Sequence, residues 1–425
     1  MEKNSTCNKD MLGLYLHIPF CMQKCNYCDF LSFPVKGSFS LCQDYVDALC
    51  NEIYACRYLG RRYELATIYF GGGTPSLLSV EQLEQLLRTI HKAFTVSMQA
   101  EITVECNPGT TTKSKLLGYR RLGINRLSIG LQSTSNEQLK MLGRIHTYEQ
   151  FLEQYEAARE AGFQNISVDL MSALPGQSLE EYEASLKTVI GLNPEHISSY
   201  GLIMEEGTPF YKDKKIWEQL PEEELCVLMY ERTRELLREA GYEQYEISNY
   251  CKPGMYSRHN NSYWTGTPYL GVGLNAASYL QGERAFSVLE EKDLGRMLRF
   301  RNGENMAEYL RCYGGTAGAG ERLCAMDELT ACMYWSQNWK EIEVLSDKDL
   351  MEEFVFLGLR RLEGISLSQF EQQFHISFDT IYQEPVKKHK ALGNIICLEK
   401  GGQSYLKLTS QGLLISNQVF VDFML

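Results

Sequence analysis

The sequence predicts an α/β fold built on a parallel sheet, and three observations predict it. Between Leu14 and Ala240, six short apolar, β-rich runs alternate with amphipathic segments of helical period. Alternation of that kind makes right-handed crossovers between parallel strands. The residues of unusual chemistry fall directly after the apolar runs, at the strand ends where such folds gather their active sites. Together these predict a full or partial (β/α)6 barrel with its helices outside.

Taken in order, the run Leu14 to Ile18 leads into a cysteine-rich loop, and Gln43 to Leu59 follows with helical spacing. Thr67 to Phe70 ends in three glycines and precedes the helical Val80 to Ala93. Ile102 to Val104 and Arg126 to Ile129 are separated by a short interval to which no helix is assigned. Tyr148 to Ala161 reads as the helix before the strand Ile166 to Asp169. Leu179 to Ile190 precedes the strand His196 to Leu202, and helical Glu222 to Ala240 closes the series. After about residue 245 the alternation stops, and SRHNNSYWTGTPYLGVGLNAASYL reads as loop and short strand, a linker packed on the barrel. Met306 to Leu310 continues helically, then GGTAGAG (Gly314 to Gly320) breaks the chain as a flexible turn. From about Met351 a compact last domain begins, with helical EEFVFLGLRRL, a helical turn from Ser366 to Phe374, hairpin-like ICLEKGGQSYLKL and a final helix. The expected division is a core over 1–250, a linker and barrel-packing region with a helical insert over 251–350, and a small domain over 351–425.

The 425 residues are about three times a typical domain, which sets a prior of two to three domains. Hydrophobic residues at 44% and charged residues at 23% are those of a globular protein and argue against disorder. Basic residues number 42 against 54 acidic, a net charge of −12 that repels nucleic acid and anionic lipid. No nucleic-acid partner is expected. The polar start MEKNSTCNKD lacks a signal-type apolar segment, and no long apolar run follows, so the expectation is a protein neither secreted nor membrane-spanning. Fourteen cysteines in such a chain point to a reducing compartment where thiols stay free or bind metal.

Cys21, Cys25 and Cys28 form C-x3-C-x2-C directly after the first strand. Three thiolates can hold three corners of a cubane iron–sulfur cluster and leave the fourth iron open. The same spacing is compatible with zinc, taking His17 or a distant cysteine as fourth ligand, and with three free thiols. After the second strand, Gly71, Gly72, Gly73, Thr74 and Pro75 lack both the Walker lysine and the dinucleotide spacing. They suit close backbone approach to a ligand, or a tight turn closed by the proline. Glu105, Gln132, Arg144 and Asp169 fall near the same strand ends. A zwitterionic, ribose-bearing ligand would use such groups, and so would surface ion pairs.

The cysteine loop followed by GGGTP resembles the radical S-adenosylmethionine (SAM) superfamily. HIPFCMQKCNYCDF, ECNPG, INRLSIGLQS, LGRIHT, DLMSALPGQ and HNNSYW together resemble its oxygen-independent coproporphyrinogen oxidase branch, over residues 12–280 and again from 351. The resemblance implies a partial (β/α)6 radical SAM barrel with a small helical, winged-helix-like C-terminal domain that covers the barrel mouth or a heme surface. It implies a [4Fe-4S] cluster on Cys21, Cys25 and Cys28 whose unique iron chelates SAM. Tyr15, Tyr27, Gly72, Gly73, Thr74, Glu105, Gln132, Arg144 and Asp169 would then line the SAM site.

Two functions separate within this branch. The coproporphyrinogen III dehydrogenases carry a further cysteine two positions after the third ligand, where this chain has Phe30, and a longer arm before the cluster loop, where only 20 residues precede Cys21. Both departures resemble the HemW type, the heme chaperones, which implies heme as a further ligand. It also implies acceptor hemoproteins as partners, membrane-bound respiratory enzymes among them. The alternative is radical oxidative decarboxylation of a porphyrinogen; a third reading is a zinc-stabilised binding module. His259 to Trp264 resemble the H-N-x-x-Y-W motif of the HemW type; the imidazole can ligate heme iron and the aromatics can face a macrocycle, or the segment is a packed corner. His17 is compatible with a partner of the cluster or a heme ligand. Cys312 to Leu345, with Cys324, Cys332, Trp335 and Trp339, is read as a helical insert with buried thiols, or as an added partner surface. A homodimer suits the family, and an oxygen-sensitive cluster suits the cytoplasm.

Overall fold

The computed structural model describes residues 9–35, 39–283, 286, 293–315 and 323–425. Its main strands are β1 (Asp10–Ile18), β2 (Tyr63–Gly72), β3 (Thr95–Cys106), β4 (Arg126–Gln132), β5 (Ile166–Ser172), β6 (His196–Gly201), β7 (Tyr269–Val272), β8 (Ala277–Gln281), β9 (Met297–Asn302) and β10 (Trp339–Val344). The helices used below are α1 (Phe39–Ala55), α2 (Val80–Ala93), α3 (Lys113–Arg121), α4 (Tyr148–Glu160), α5 (Leu179–Gly191), α6 (Glu223–Glu239), α7 (Arg258–Trp264), α8 (Met306–Tyr313), α9 (Glu328–Trp335) and α10 (Asp347–Leu359). The chain divides into two compact units, the first holding Met1–Gly130, Leu139–Gln164 and Thr267–Val344, the second Leu131–Gln138, Asn165–Gly266 and Leu345–Leu425.

In the first unit β1 lies between β2 and β7, parallel to both, and β2, β3 and β4 continue the parallel ladder. Leu12, Leu14, Leu16 and Ile18 are wholly buried on one face of β1, and Gly13 and His17 are buried on the other, which is why that strand reads as a near-continuous run. Helix starts are set by local chemistry: Ser79 and Gln82 form a capping box on α2, as Thr147 and Gln150 do on α4. The interval assigned no helix holds α3, capped by Thr112; its low apolar content hid it. β8, β9 and β10 extend the sheet antiparallel beyond β7.

The stretch expected to be a linker therefore supplies sheet strands. Cys312 to Leu345 is also not simply a helical insert: α9 gives way to the strand β10, and of its thiols Cys332 is buried, Cys312 half-buried and Cys324 exposed. Trp335 and Trp339 are the buried groups, with Phe300 stacked on Trp339 at 3.8 Å between ring centroids. Within GGTAGAG, Gly314 closes α8 and residues 316–320 lie outside the described residues.

In the second unit β5 and β6 are parallel, Asn249–Cys251 adds antiparallel to β6, and Glu243–Gln244 pairs antiparallel with Asn249–Cys251 in turn. Ser178 and Glu181 box the start of α5, and α6 follows β6. The C-terminal part opens at a capping box of Ser346 and Asp349 on α10. Its strands Ile395–Lys400 and Gln403–Leu408 form the expected hairpin, joined by Ile365–Ser366. Val355, Leu359, Phe370, Tyr382, Leu406 and Val419 fill its core. A helix at Phe378–Ala391, interrupted by Pro385, was not expected, and the single final helix is two short ones, Ser410–Leu414 and Ser416–Val421.

A buried carboxyl fixes the first unit behind β1. Glu52 on α1 is wholly buried and accepts from Gly273 N at 2.8 Å, Asn302 Nδ2 at 2.6 Å and the Tyr309 hydroxyl. These donors come from the β7–β8 turn, the end of β9, and α8. On the same helix, Tyr45 donates to the His17 carbonyl at 2.9 Å and receives Leu274 N at 2.9 Å. Burial pushes Glu52 up to about 7 despite its three donors. The folded chain thus holds a proton that the unfolded chain releases, so stability falls as pH rises from the ordinary glutamate range towards 7. In denaturation of wild type and Glu52→Gln, whatever gap separates them at pH 5 is expected to shift in favour of the glutamine by about 2 kcal/mol at pH 8. A gap independent of pH would show that Glu52 does not titrate in this window.

Candidate functional site

The thiol loop lies in the first unit. Cys21 ends a two-residue strand, Phe20–Cys21, that pairs in parallel with Phe33–Pro34 and closes the loop on itself. Inside it, Cys28 N donates to Cys25 O at 3.3 Å, which keeps the second and third cysteines in one turn. Asn26 anchors the turn through its N to Leu142 O at 2.9 Å and its Nδ2 to Met141 O at 2.8 Å. Gly143 permits this approach, since a Cβ there would lie 3.0 Å from the Asn26 side chain.

A chain of hydrogen bonds runs from one thiol to another. Arg144 places Nη1 3.6 Å from Cys25 Sγ, and its Nη2 donates to Asn107 Oδ1 at 2.7 Å and Gly130 O at 2.6 Å. Asn107 Nδ2 donates to Thr74 Oγ1 at 2.7 Å, and Thr74 Oγ1 donates to Cys21 Sγ at 3.5 Å. A cleft of about 310 Å³ opens here, lined among others by Cys25, Thr74, Asn107, Arg144 and His146. Burial raises the Cys21 thiol, offset in part by the hydrogen bond from Thr74, and pushes Cys28 up to about 11. Cys21 and Cys28 therefore favour the protonated form, and loading them with iron releases protons.

The glycine run is built for backbone contact. Gly72 has φ of +108°, and a Cβ on it would stand 2.6 Å from the His17 ring. Gly72 N donates to Glu105 Oε2 at 3.1 Å while the Tyr69 hydroxyl donates to Oε1 at 2.8 Å, so Glu105 is held at the end of β3. Gly73 N donates to Ile18 O at 2.9 Å, and a Cβ there would lie 2.7 Å from Phe20 O. His17 is buried and held between the Tyr15 hydroxyl and Leu31 O, each at 3.0 Å. Burial lowers its pKa, so the ring is neutral, donating through Nε2 to Leu31 and accepting Tyr15 at Nδ1. Both ring nitrogens thus serve the fold here. Tyr27 lies half-buried between the second and third cysteines.

The remaining sequence-predicted residues belong to the second unit. Gln132 sits at φ of +73°, an uncommon conformation for a residue with a Cβ, and its Oε1 accepts from the Tyr200 hydroxyl at 2.8 Å. Asp169 on β5 accepts from Ser167 Oγ at 3.4 Å. His259 is on a helix, α7, not in the expected loop; Ser257 caps that helix by accepting from Asn260 N. His259 is 1% exposed and its Nε2 lies 2.9 Å from the Tyr263 hydroxyl. Asn26 and Asn107 are site residues that the sequence reading did not single out. Asn107 was within reach, two positions after Glu105 in ECNPG.

The donor set fits a cubane cluster: three half-buried thiols in one loop, with an arginine and a threonine donating to two of the sulfurs. Among the described residues, no three His, Cys, Asp or Glu side chains are grouped to hold a single metal ion; a cubane takes each thiolate on a separate iron. A strand–helix sheet with such a loop after its first strand defines a radical SAM protein, and residues 15–189 match the Radical SAM superfamily while 345–415 match the HemN C-terminal domain. The chain belongs to the HemW family: it is 33% identical over 415 residues to "Heme chaperone HemW" of Lactococcus lactis, covering 97% of both chains. It is likewise 33% identical over 416 residues to the Bacillus subtilis protein of that name, covering 97% of this chain and 99% of the relative. With the Escherichia coli HemW it shares 42% over 265 residues, 62% of this chain and 69% of the relative. The solved coproporphyrinogen III oxidase (HemN) of Escherichia coli has the same fold, with a TM-score of 0.77 at 23% identity over 98% of this chain and 90% of that one.

Steric and torsional demands separate at two glycines. Gly109 has φ of +85° with nothing within 4 Å, whereas Gly72 adds the His17 contact to its positive φ. In chemical denaturation, Gly109→Ala is expected to lose about 1 kcal/mol, and Gly72→Ala a further 1–3 kcal/mol, roughly. Equal losses would show that the His17 ring yields freely.

Proposed function

We propose that this chain is a heme chaperone that binds heme and, with a [4Fe-4S] cluster and SAM, delivers it to acceptor hemoproteins. The observation that carries the reading is likeness along 97% of the chain to relatives named heme chaperones. Phe30 supports it, standing 61% exposed where the branch's dehydrogenases have a cysteine. No helix among the described residues is long and apolar enough to cross a membrane. We place the chain in the cytoplasm, where its thiols stay reduced, reaching membrane-bound acceptors by transient contact.

On this reading Cys21, Cys25 and Cys28 hold the cluster, which when bound supplies an open iron for the amino and carboxylate groups of SAM. Arg144, kept in place by Asn107 and Gly130 O, balances the thiolate charge and brings its positive charge to the side of the ligand carboxylate. Glu105 keeps acceptor capacity beyond its bonds to Tyr69 and Gly72 N, for an ammonium or hydroxyl. Tyr15, Tyr27, Gly72, Gly73 and Thr74 form the wall of the same site; Gln132 and Asp169, in the second unit, carry amide and carboxylate groups of the kind a ribose takes. The division into a core over 1–250, a connecting region over 251–350 and a C-terminal domain over 351–425 goes with these roles.

His259 is the proposed iron ligand. Its Nε2 is engaged by Tyr263, so binding exchanges the tyrosine hydroxyl for iron. Anaerobic reconstituted protein is expected to bind heme stoichiometrically, and His259→Ala to weaken it by about tenfold or more, with no protoporphyrinogen formed from coproporphyrinogen III and SAM. Porphyrinogen turnover without specific heme uptake would overturn the reading in favour of the dehydrogenase. Cys28→Ala is expected to lose the cluster's broad visible absorption and most of its iron; retention of both would remove Cys28 from the ligand set.

A further inference from the structure

The C-terminal part of the second unit meets α7 at a cation–π contact. Arg360, the residue that ends α10, lays its guanidinium over the indole of Trp264, with Cζ 4.5 Å from the ring centroid. Arg360 Nε and Trp264 Nε1 are both shut off from solvent and have no hydrogen-bond partner. A buried N–H left without an acceptor is destabilising, and this contact contains two. The acidic group near Arg360 is the buried Glu246, whose pKa is raised by burial and lowered in part by the arginine's charge. Its Oε1 is taken by Ser248 N at 2.9 Å and by Asn249 Nδ2 at 2.5 Å, and not by Arg360. The pair is therefore a guanidinium Nε–H and an indole Nε1–H, each lacking an acceptor, at the end of the helix that carries His259.

We propose that Arg360 and the Trp264 Nε1–H form the seat for a propionate carboxylate of the bound heme, so that the ligand is held from α7 and from the C-terminal domain together. This inference rests on the heme-binding reading. The chemistry matches: a carboxylate accepts from a planar cation and a neutral N–H at once, and a macrocycle covers the apolar area around them. The spacing also suits it. His259 and Trp264 are five residues apart, roughly 140° around the helix, which sets the iron ligand and the carboxylate donor on different sides, as a central iron and a rim propionate require. Arg360 takes no part in the thiol loop or its hydrogen-bond chain, so its loss leaves the cluster ligands untouched.

The test is an absorbance titration of full-length, anaerobically reconstituted wild type, Arg360→Gln and Trp264→Phe with iron protoporphyrin IX and with its dimethyl ester, whose propionates are capped. Wild type is expected to prefer the diacid, Arg360→Gln to weaken diacid binding about tenfold, and Trp264→Phe about threefold. Affinity for the diester should stay within about twofold of wild type in both. Arg360→Lys, which keeps the charge and loses the fork, should fall between wild type and the glutamine variant. Equal weakening towards diacid and diester, no weakening at all, or no preference of wild type for the diacid would each overturn the proposal. Absence of heme binding by wild type would overturn the heme reading and this inference with it, an outcome distinct from the others. Should Arg360→Gln fail to fold, Trp264→Phe, which keeps an aromatic ring under the guanidinium, decides alone.

Discussion

The thiol loop depends on one guanidinium. Arg144 reaches from the turn after Leu142 to Cys25, to Asn107 beyond β3 and to the Gly130 carbonyl in β4, so a side chain from a loop joins two strands and a sulfur. Through Asn107 and Thr74 the chain of bonds continues to Cys21. Two of the three thiols are thereby tied to one set of polar groups fixed by sheet strands. Loops pay for order in conformational entropy, and this one has little regular structure beyond its two-residue strand pair. Charge-assisted bonds to rigid strands offset that entropy, and they leave the sulfurs accessible where apolar packing would bury them.

The same economy governs what lies behind the loop. β1 must end where the thiols begin, so the residues at its end are held by groups that do not move. Tyr45 grips the His17 carbonyl, Leu31 and Tyr15 take both ring nitrogens, and Gly72 leaves the ring its space. A neutral, doubly bonded His17 thus fills the space that Gly72 leaves at the end of β1. A ligand role for it would require breaking both bonds. Glu52 then binds the far side of α1 to the β7–β8 turn, β9 and α8, which ties the antiparallel strands beyond β7 to the helix that packs behind β1.

Legibility followed physical locality. The six core strands were plain in the sequence because parallel strands buried on both faces leave apolar runs, and α2, α4 and α5 because their capping boxes and periodicity are local. α3 and the helix around Pro385 were hidden, the first by few apolar residues, the second by a residue that normally stops a helix. β8 to β10 were hidden because strand pairing is settled by partners distant in sequence. At the site, the cysteine loop, the glycine run and Glu105 were readable from residue type and spacing. The joining role of Asn107 and Asn26 was not, since an amide earns its function from what the fold sets opposite it. His259 was picked out by motif, yet its helical setting and its bond to Tyr263 exist only in three dimensions.

A cofactor site and a cargo site have opposite physical requirements, and the two regions differ accordingly. The thiol loop is prearranged and multiply bonded, which suits a group that stays. A carrier must also let go, so its iron ligand needs a competitor within the protein. Tyr263 is placed to be one: its hydroxyl holds the same Nε2 that iron would take, on the same helix, at 2.9 Å. Departure of iron is then met by an internal hydrogen bond, which lowers the free energy of the empty state and weakens net binding without slowing access. The unsatisfied N–H groups of Arg360 and Trp264 act the other way, raising the free energy of the empty state until a carboxylate arrives. On the proposed reading, one contact favours release and the other capture.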